Sequence, residues 1–187
     1  MAKARSNKGI GKFFLGVAVT IVLFAIGFFL YLKFGPHPVA VADAPFPFER
    51  QVVKTPLKAR IKRQMQPAPF GISEDVFEEG AHIYQAQCSM CHGIPGHDSL
   101  LAKHMYPAAP QLWKKHGPHG VVGVSDDEAG STYWIVANGI RLTGMPSFTH
   151  VLSDREMWEV SLLLKNADQE LPDPVNQILN GPVASKP

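Results

Sequence analysis

The chain has 187 residues, 45% hydrophobic and 18% charged, with a formal net charge of +2 and two cysteines. That length holds one domain plus accessory segments. Near-neutral charge gives no case for a nucleic-acid partner, and without a cysteine near the N-terminus an acylated lipoprotein is excluded.

The averages conceal a sharp division. Residues 1–70 hold eleven Lys/Arg against two Asp/Glu, residues 71–171 six against thirteen, and residues 172–187 one of each. A basic leading part therefore precedes an acidic head.

Residues 1–12 carry Lys3, Arg5, Lys8 and Lys12 ahead of an uncharged run, FFLGVAVTIVLFAIGFFLYL, at 13–32. Twenty apolar residues at about 1.5 Å rise span a hydrocarbon core of roughly 30 Å. A transmembrane helix is expected over 13–33, with the N-terminus cytoplasmic and the remainder outside. A cleaved signal peptide is the competing reading, since Ala40-Val41-Ala42 resembles a cleavage site. The apolar run is long for that purpose, and the small-residue triplet lies well beyond its end.

Residues 34–70 contain Pro36, Pro38, Pro45, Pro47, Pro56, Pro67 and Pro69 with little apolar periodicity. They read as an extended basic linker, either a spacer or a strap docked on a partner subunit. The basic run Arg50, Lys54, Lys58, Arg60, Lys62, Arg63 suits anionic lipid headgroups, an acidic partner, or plain solvent.

Residues 71–171 alone combine helical periodicity with dense apolar content. Ser73-Glu74-Asp75 is a helix start, and Phe77, Gly80, Ala81 and Tyr84 make one apolar stripe behind it. A middle helix is expected from Asp126 or Asp127 to about Asn138. Ser153-Asp154-Arg155-Glu156 is a capping-box pattern ahead of Met157, Trp158, Ser161, Leu162 and Leu164. The first and last of these helices are expected to cross, with Gly80 admitting Trp158. Leu171-Pro172 is read as the end of the domain, leaving 172–187 as a tail. About a hundred residues make a small core, so added support is expected.

The cysteines lie in QCSMCHG, residues 87–93. Zinc normally takes four ligands, and His116 and His119 are too close together to complete a usual site. A thioredoxin-like dithiol needs a preceding strand, whereas the residues before Cys88 are helical. C-x-x-C-H remains, the haem c attachment sequence. Cys88 and Cys91 on one helical turn can both form thioethers, and His92 follows as proximal iron ligand. The distal ligand then has to be a methionine far along the chain. Met90 lies inside the attachment turn, which leaves Met145, Met105 and Met65. Met145 sits in NGIRLTGMPSF, residues 138–148, where flanking Gly144 and Pro146 suit a presenting loop better than core filler.

Residues 72–167 resemble a class I c-type cytochrome. The matching features are Gly80-x-x-x-Tyr84-x-x-x-Cys88, CSMCHG, Pro110-x-Leu112, and the Met145 loop followed by a helix bearing an aromatic residue. The resemblance implies an all-α class I cytochrome c fold with one covalently bound haem c, here behind an N-terminal transmembrane helix. It implies a proline carbonyl accepting the His92 N–H, from Pro110 or else Pro107 or Pro95. Arg141, Tyr106, Trp113 and Trp134 are candidate donors to the haem propionates. His97, His104, His116 and His119 are expected at the surface.

The expected protein is a membrane-tethered monohaem cytochrome c, not itself an enzyme. It would pass single electrons between redox partners on the periplasmic face of the cytoplasmic membrane, bound to the bilayer through residues 13–32. Its acidic head suits a basic docking surface on a partner. Two other readings stand beside this one: a fixed subunit of a larger respiratory or photosynthetic membrane complex, and a haem sensor or peroxidase in which Met145 leaves the iron.

Overall fold

Ser73 starts the first helix of the acidic head, its side chain accepting the Val76 N–H at 3.3 Å. The computed structural model describes residues 8–181 and is mostly helical, 54% helix with 3% strand. The elements are α1 (Lys8–Phe34), α2 (Glu49–Gln64), α3 (Glu74–Gln87), α4 (Ser89–His92), a 3-10 turn (Leu101–His104), β1 (Lys115–His116), β2 (Val121–Val122), α5 (Ala129–Asn138), α6 (Asp154–Lys165) and α7 (Asp173–Asn180). The strands form one small antiparallel hairpin, pairing Lys115 with Val122 and His116 with Val121. The chain divides into two units between Phe46 and Pro47.

In the first unit, α1 is long and apolar enough to cross a membrane from Gly9 to Phe34. Its large apolar side chains are exposed along its whole length, from Ile10 to Phe34. Beyond it, Asp43 accepts the Val39 and Ala40 N–H groups at 2.8 Å each, closing a turn.

In the second unit, α3 and α6 pack together across Gly80. A Cβ built there would lie 2.6 Å from the Glu159 carbonyl oxygen and 3.1 Å from Leu163 Cβ. The crossing is as expected but its partner is not: Gly80 admits the α6 backbone at Glu159, while Trp158 stacks on Tyr133 of α5 at 4.1 Å. One residue along a helix turns the side chain by about 100°, which moves Trp158 onto the neighbouring helix. The capping box at Ser153 and Glu156 is formed. The core between the helices includes Ala81, Tyr84, Val136, Met157, Val160 and Leu163.

Two segments differ from the sequence reading. Glu49–Gln64 is a helix, where an extended linker was expected. Ile61 is buried, the Trp134 indole N–H donates to Gln64 Oε1 at 3.1 Å, and the Ser131 hydroxyl donates to Met65 Sδ at 3.3 Å. The Gln66 carbonyl lies where a side chain on Gly130 would be, and Arg155 stands 5.1 Å from the Phe70 ring centroid. The linker is thus a strap lying across α5, held by contacts that a proline count does not reveal.

The second difference is α7. Residues 172–187 were expected to form a tail, but Val175 and Leu179 are completely buried in the main core and Gln85 of α3 donates to the Gly181 carbonyl at 2.6 Å. Pro174, near the start of α7, falls where a missing N–H costs nothing. Burying two such side chains contributes about 1.5–3 kcal/mol each. Leu179→Ala is expected to destabilise the domain by about 2–5 kcal/mol, read as a lowered thermal midpoint.

Glu159 is buried at 4% exposure, its carboxylate 2.8 Å from the largely exposed Arg155 guanidinium. Burial pushes its pKa above the ordinary 4.5, with Arg155 opposing the shift. A raised carboxyl pKa means that the folded state holds its proton longer than the unfolded state does. Stability from this group is therefore present below the ordinary value and lost as pH rises through the raised one. Glu159→Gln should remove that fall from thermal melts recorded across mildly acidic pH.

Candidate functional site: the cysteine–histidine turn and the methionine loop

The cysteine–histidine turn is fixed from three sides. Helix α3 runs through Cys88 into the short α4, and the Ser89 hydroxyl donates to the Gln85 carbonyl at 2.7 Å. Tyr84, fully buried, donates its phenol proton to the Gly93 carbonyl at 2.7 Å. Gly93 itself has φ +74, and a side chain there would meet Gln111 Oε1 at 2.6 Å. Glycine is required for both reasons.

Gln111 is a positioning residue that the sequence reading missed. Its amide donates to the Cys91 carbonyl at 3.2 Å and the Ala109 carbonyl at 3.1 Å, and its oxygen accepts the Ser99 N–H at 2.6 Å. The Leu112 N–H donates to the His92 carbonyl at 3.1 Å. Gln111 occupies the unspecified place in Pro110-x-Leu112, so the motif marked its neighbours and passed over it.

His92 lies with Nδ1 2.8 Å from the Pro110 carbonyl oxygen. A carbonyl only accepts, so Nδ1 carries the proton and Nε2 keeps its lone pair. Burial lowers the His92 pKa and the Pro110 bond partly offsets that, favouring the neutral ring that a metal needs. Of the three prolines considered, Pro110 provides the acceptor. Burial, with Cys91 nearby, pushes the Cys88 thiol up to about 12, so it is a neutral thiol near neutral pH.

Met145 is carried on a loop stapled to the end of α5. Gly139 ends that helix at φ +65, where an added Cβ would lie 2.8 Å from the Met145 oxygen and 2.7 Å from the Pro146 carbonyl carbon. The Met145 carbonyl accepts the Ile140 N–H at 3.1 Å, and its own N–H donates to Thr143 Oγ1 at 3.1 Å. Ser147 and Phe148 donate back to the Ala137 and Val136 carbonyls at 2.6 and 3.0 Å. Met145, Cys88 and Trp113 are half-buried against the same core cluster. Met65 is engaged with Ser131 in the strap, and Met105 Cε sits against Gly144, beside the Met145 position.

The candidate propionate donors separate. Trp134 is occupied by Gln64, Arg141 is exposed, and Tyr106 is exposed beside Glu49 of α2. The Trp113 indole N–H is buried without a hydrogen-bond partner, one of two such side-chain atoms among the described residues, the other being Gln85 Oε1. A buried orphan donor that lines one cleft with His92 suits a group that brings its own acceptor, as a haem carboxylate does. A cleft of about 560 Å³ is lined by His92, Trp113, His97, Gln111, Lys114 and Asp98 among others. His97, His104, His116 and His119 are all exposed.

A neutral imidazole with a free Nε2 and an orphan donor in one cleft, with two thiols in the imidazole's own turn, are a donor set that suits a haem, and the Met145 thioether packs against the same core cluster as Cys88. A search of curated proteins gave no match. A family described as cytochrome C oxidase, cbb3-type, subunit III matches residues 75–162, from the first turn of α3 into α6. Those residues, just under half of the chain, are a cytochrome c-type domain, which implies haem c and electron transfer.

Proposed function

We propose that this chain is a membrane-tethered monohaem cytochrome c that moves single electrons between redox partners on the periplasmic face of the cytoplasmic membrane. One haem c would be held by thioethers to Cys88 and Cys91, with His92 Nε2 and Met145 Sδ as the protein ligands of its iron. Bound there, it supplies a one-electron iron couple, and histidine–methionine ligation sets its potential above that of an exposed bis-histidine haem.

The observation that carries this reading is the Nδ1–H bond from His92 to the Pro110 carbonyl at 2.8 Å. It fixes the tautomer and aims an unprotonated nitrogen from the residue directly behind the second cysteine. Trp113 offers its N–H to a propionate, and Tyr84, Gln111 and Gly93 hold the turn. With His92 and Met145 both holding the iron, substrate chemistry there would be disfavoured, and the chain's part would be to keep the pocket rigid and dry. Helix α1 is the anchor, and the basic residues before it set the orientation. Acid–acetone extraction tests the attachment: the pigment should stay with the polypeptide, in one equivalent by intact mass. A colourless polypeptide would defeat the reading.

A second reading is favoured by two observations. The matched family is described as an oxidase subunit, and the linker is folded back as α2 rather than left free. A fixed subunit of a larger membrane complex would use such a rigid arm. Purification in mild detergent separates the two: a subunit brings stoichiometric partners with it, a shuttle arrives alone.

A further inference from the structure

We propose that α2 and the residues behind it brace the methionine loop, through Trp134 and through Met105, and so hold the Met145 thioether in its place as a ligand. This inference rests on Met145 being an iron ligand.

The loop is only as steady as the last turn of α5. Ser147 and Phe148 are bonded to the Ala137 and Val136 carbonyls, and the Met145 and Pro146 backbone lies against Gly139. That turn is held from outside by α2. Trp134 is buried, its carbonyl accepts the Asn138 amide at 2.8 Å, and its indole N–H donates to Gln64 Oε1 at 3.1 Å. Arg60 Nε donates to the same oxygen at 3.1 Å, and its guanidinium carbon lies 5.8 Å from the Trp134 ring centroid. One amide oxygen thus joins a cation to an indole, and the cation also covers the indole ring. At the start of α5 the Gln66 carbonyl fills the space beside Gly130, and the Ser131 hydroxyl holds Met65. A helix of ten residues is therefore held near both of its ends by the strap.

The second contact is with the loop backbone itself. The Tyr106 phenol lies in hydrogen-bonding contact with the Glu49 carboxylate, at the start of α2. The preceding residue, Met105, follows the 3-10 turn and sets its methyl where a side chain on Gly144 would be, one residue before Met145.

The loop needs such support. Leu142 has φ +63 and an exposed side chain. That backbone conformation is costly to an L-residue and persists only where the surroundings impose it. The rest of the domain depends less on α2. Ile61, the buried residue of α2, is not part of the main core cluster, and neither is Trp134. The matched family region begins at residue 75, after the strap has ended. Loosening the strap should therefore free the loop more than it weakens the fold.

The test is carbon monoxide titration of the reduced full-length holoprotein in detergent. Carbon monoxide takes the iron only where Met145 has left it, so its apparent affinity rises with the fraction of open loop. Gln64→Ala should raise that affinity about tenfold, and Gln64→Glu, which keeps an acceptor for the indole, should restore the wild-type value. Met105→Ala should raise it as well, and Met105→Leu should not. Leu179→Ala, which weakens the core through α7, should leave it unchanged. Wild-type affinity in Gln64→Ala or in Met105→Ala would overturn the proposal, as would an equal rise in Leu179→Ala. A wild-type protein that binds carbon monoxide as tightly as Met145→Ala would instead overturn the ligand assignment, and this inference with it.

Discussion

Met145→Ala should abolish the weak long-wavelength sulfur-to-iron(III) band and lower the reduction potential by on the order of 100 mV, while the haem stays attached. The physical basis is the loop. Its ends are tied to α5 by Ser147 and Phe148, and its middle is closed by the Ile140 and Thr143 bonds. The backbone should therefore keep its course when the side chain is cut back, so the variant loses a ligand and little else. Met105 provides the control. Its methyl sits beside Gly144, close enough for it to be the rival sulfur. Met105→Leu should keep the band and shift the potential only slightly. If Met145→Ala kept the band and Met105→Leu lost it, the ligand assignment would pass to Met105.

Gly80→Ala should cost about 1–3 kcal/mol, and Gly80→Leu should leave almost no folded holoprotein. A Cβ at this place meets a carbonyl oxygen at 2.6 Å and the Cβ of Leu163 at 3.1 Å, both carried by the α6 backbone. Neither can rotate away, so the two helices must separate. Separation opens the core around Tyr84, whose phenol holds the Gly93 carbonyl and with it the attachment turn. Domains of this size have only about 5–15 kcal/mol to lose. The measurement is the yield of haem-bearing protein and its thermal midpoint. Wild-type yield and stability for Gly80→Leu would contradict the crossing.

Some of this was legible in the residues and some was not. Ser73 and the Ser153–Glu156 pair announce helix starts because their side chains satisfy particular backbone N–H groups, a local matter that sequence carries well. Gly80 announced a close approach, but which residue of α6 entered depended on rotation about that helix, and the expectation fell on Trp158 rather than Glu159. Helix α2 was hidden because Pro56 lies inside it and its flanks are rich in proline, so local propensity argued for extension. Its stability comes from tertiary partners, Trp134 and Ser131, some seventy residues away. Helix α7 is short and bounded by prolines, and Val175 and Leu179 are too few to show a period. Cys88, Cys91, His92 and Met145 stand out in the sequence as candidates because their chemistry is peculiar to them. Gln111 does not, since its importance lies in three hydrogen bonds that exist only after folding.

The central claim is an iron held between His92 Nε2 and Met145 Sδ. Near-infrared magnetic circular dichroism of the oxidised full-length protein reads both axial ligands at once. The account predicts a single low-spin species with a histidine–methionine signature. A bis-histidine or high-spin signature in the wild-type protein at neutral pH would contradict it.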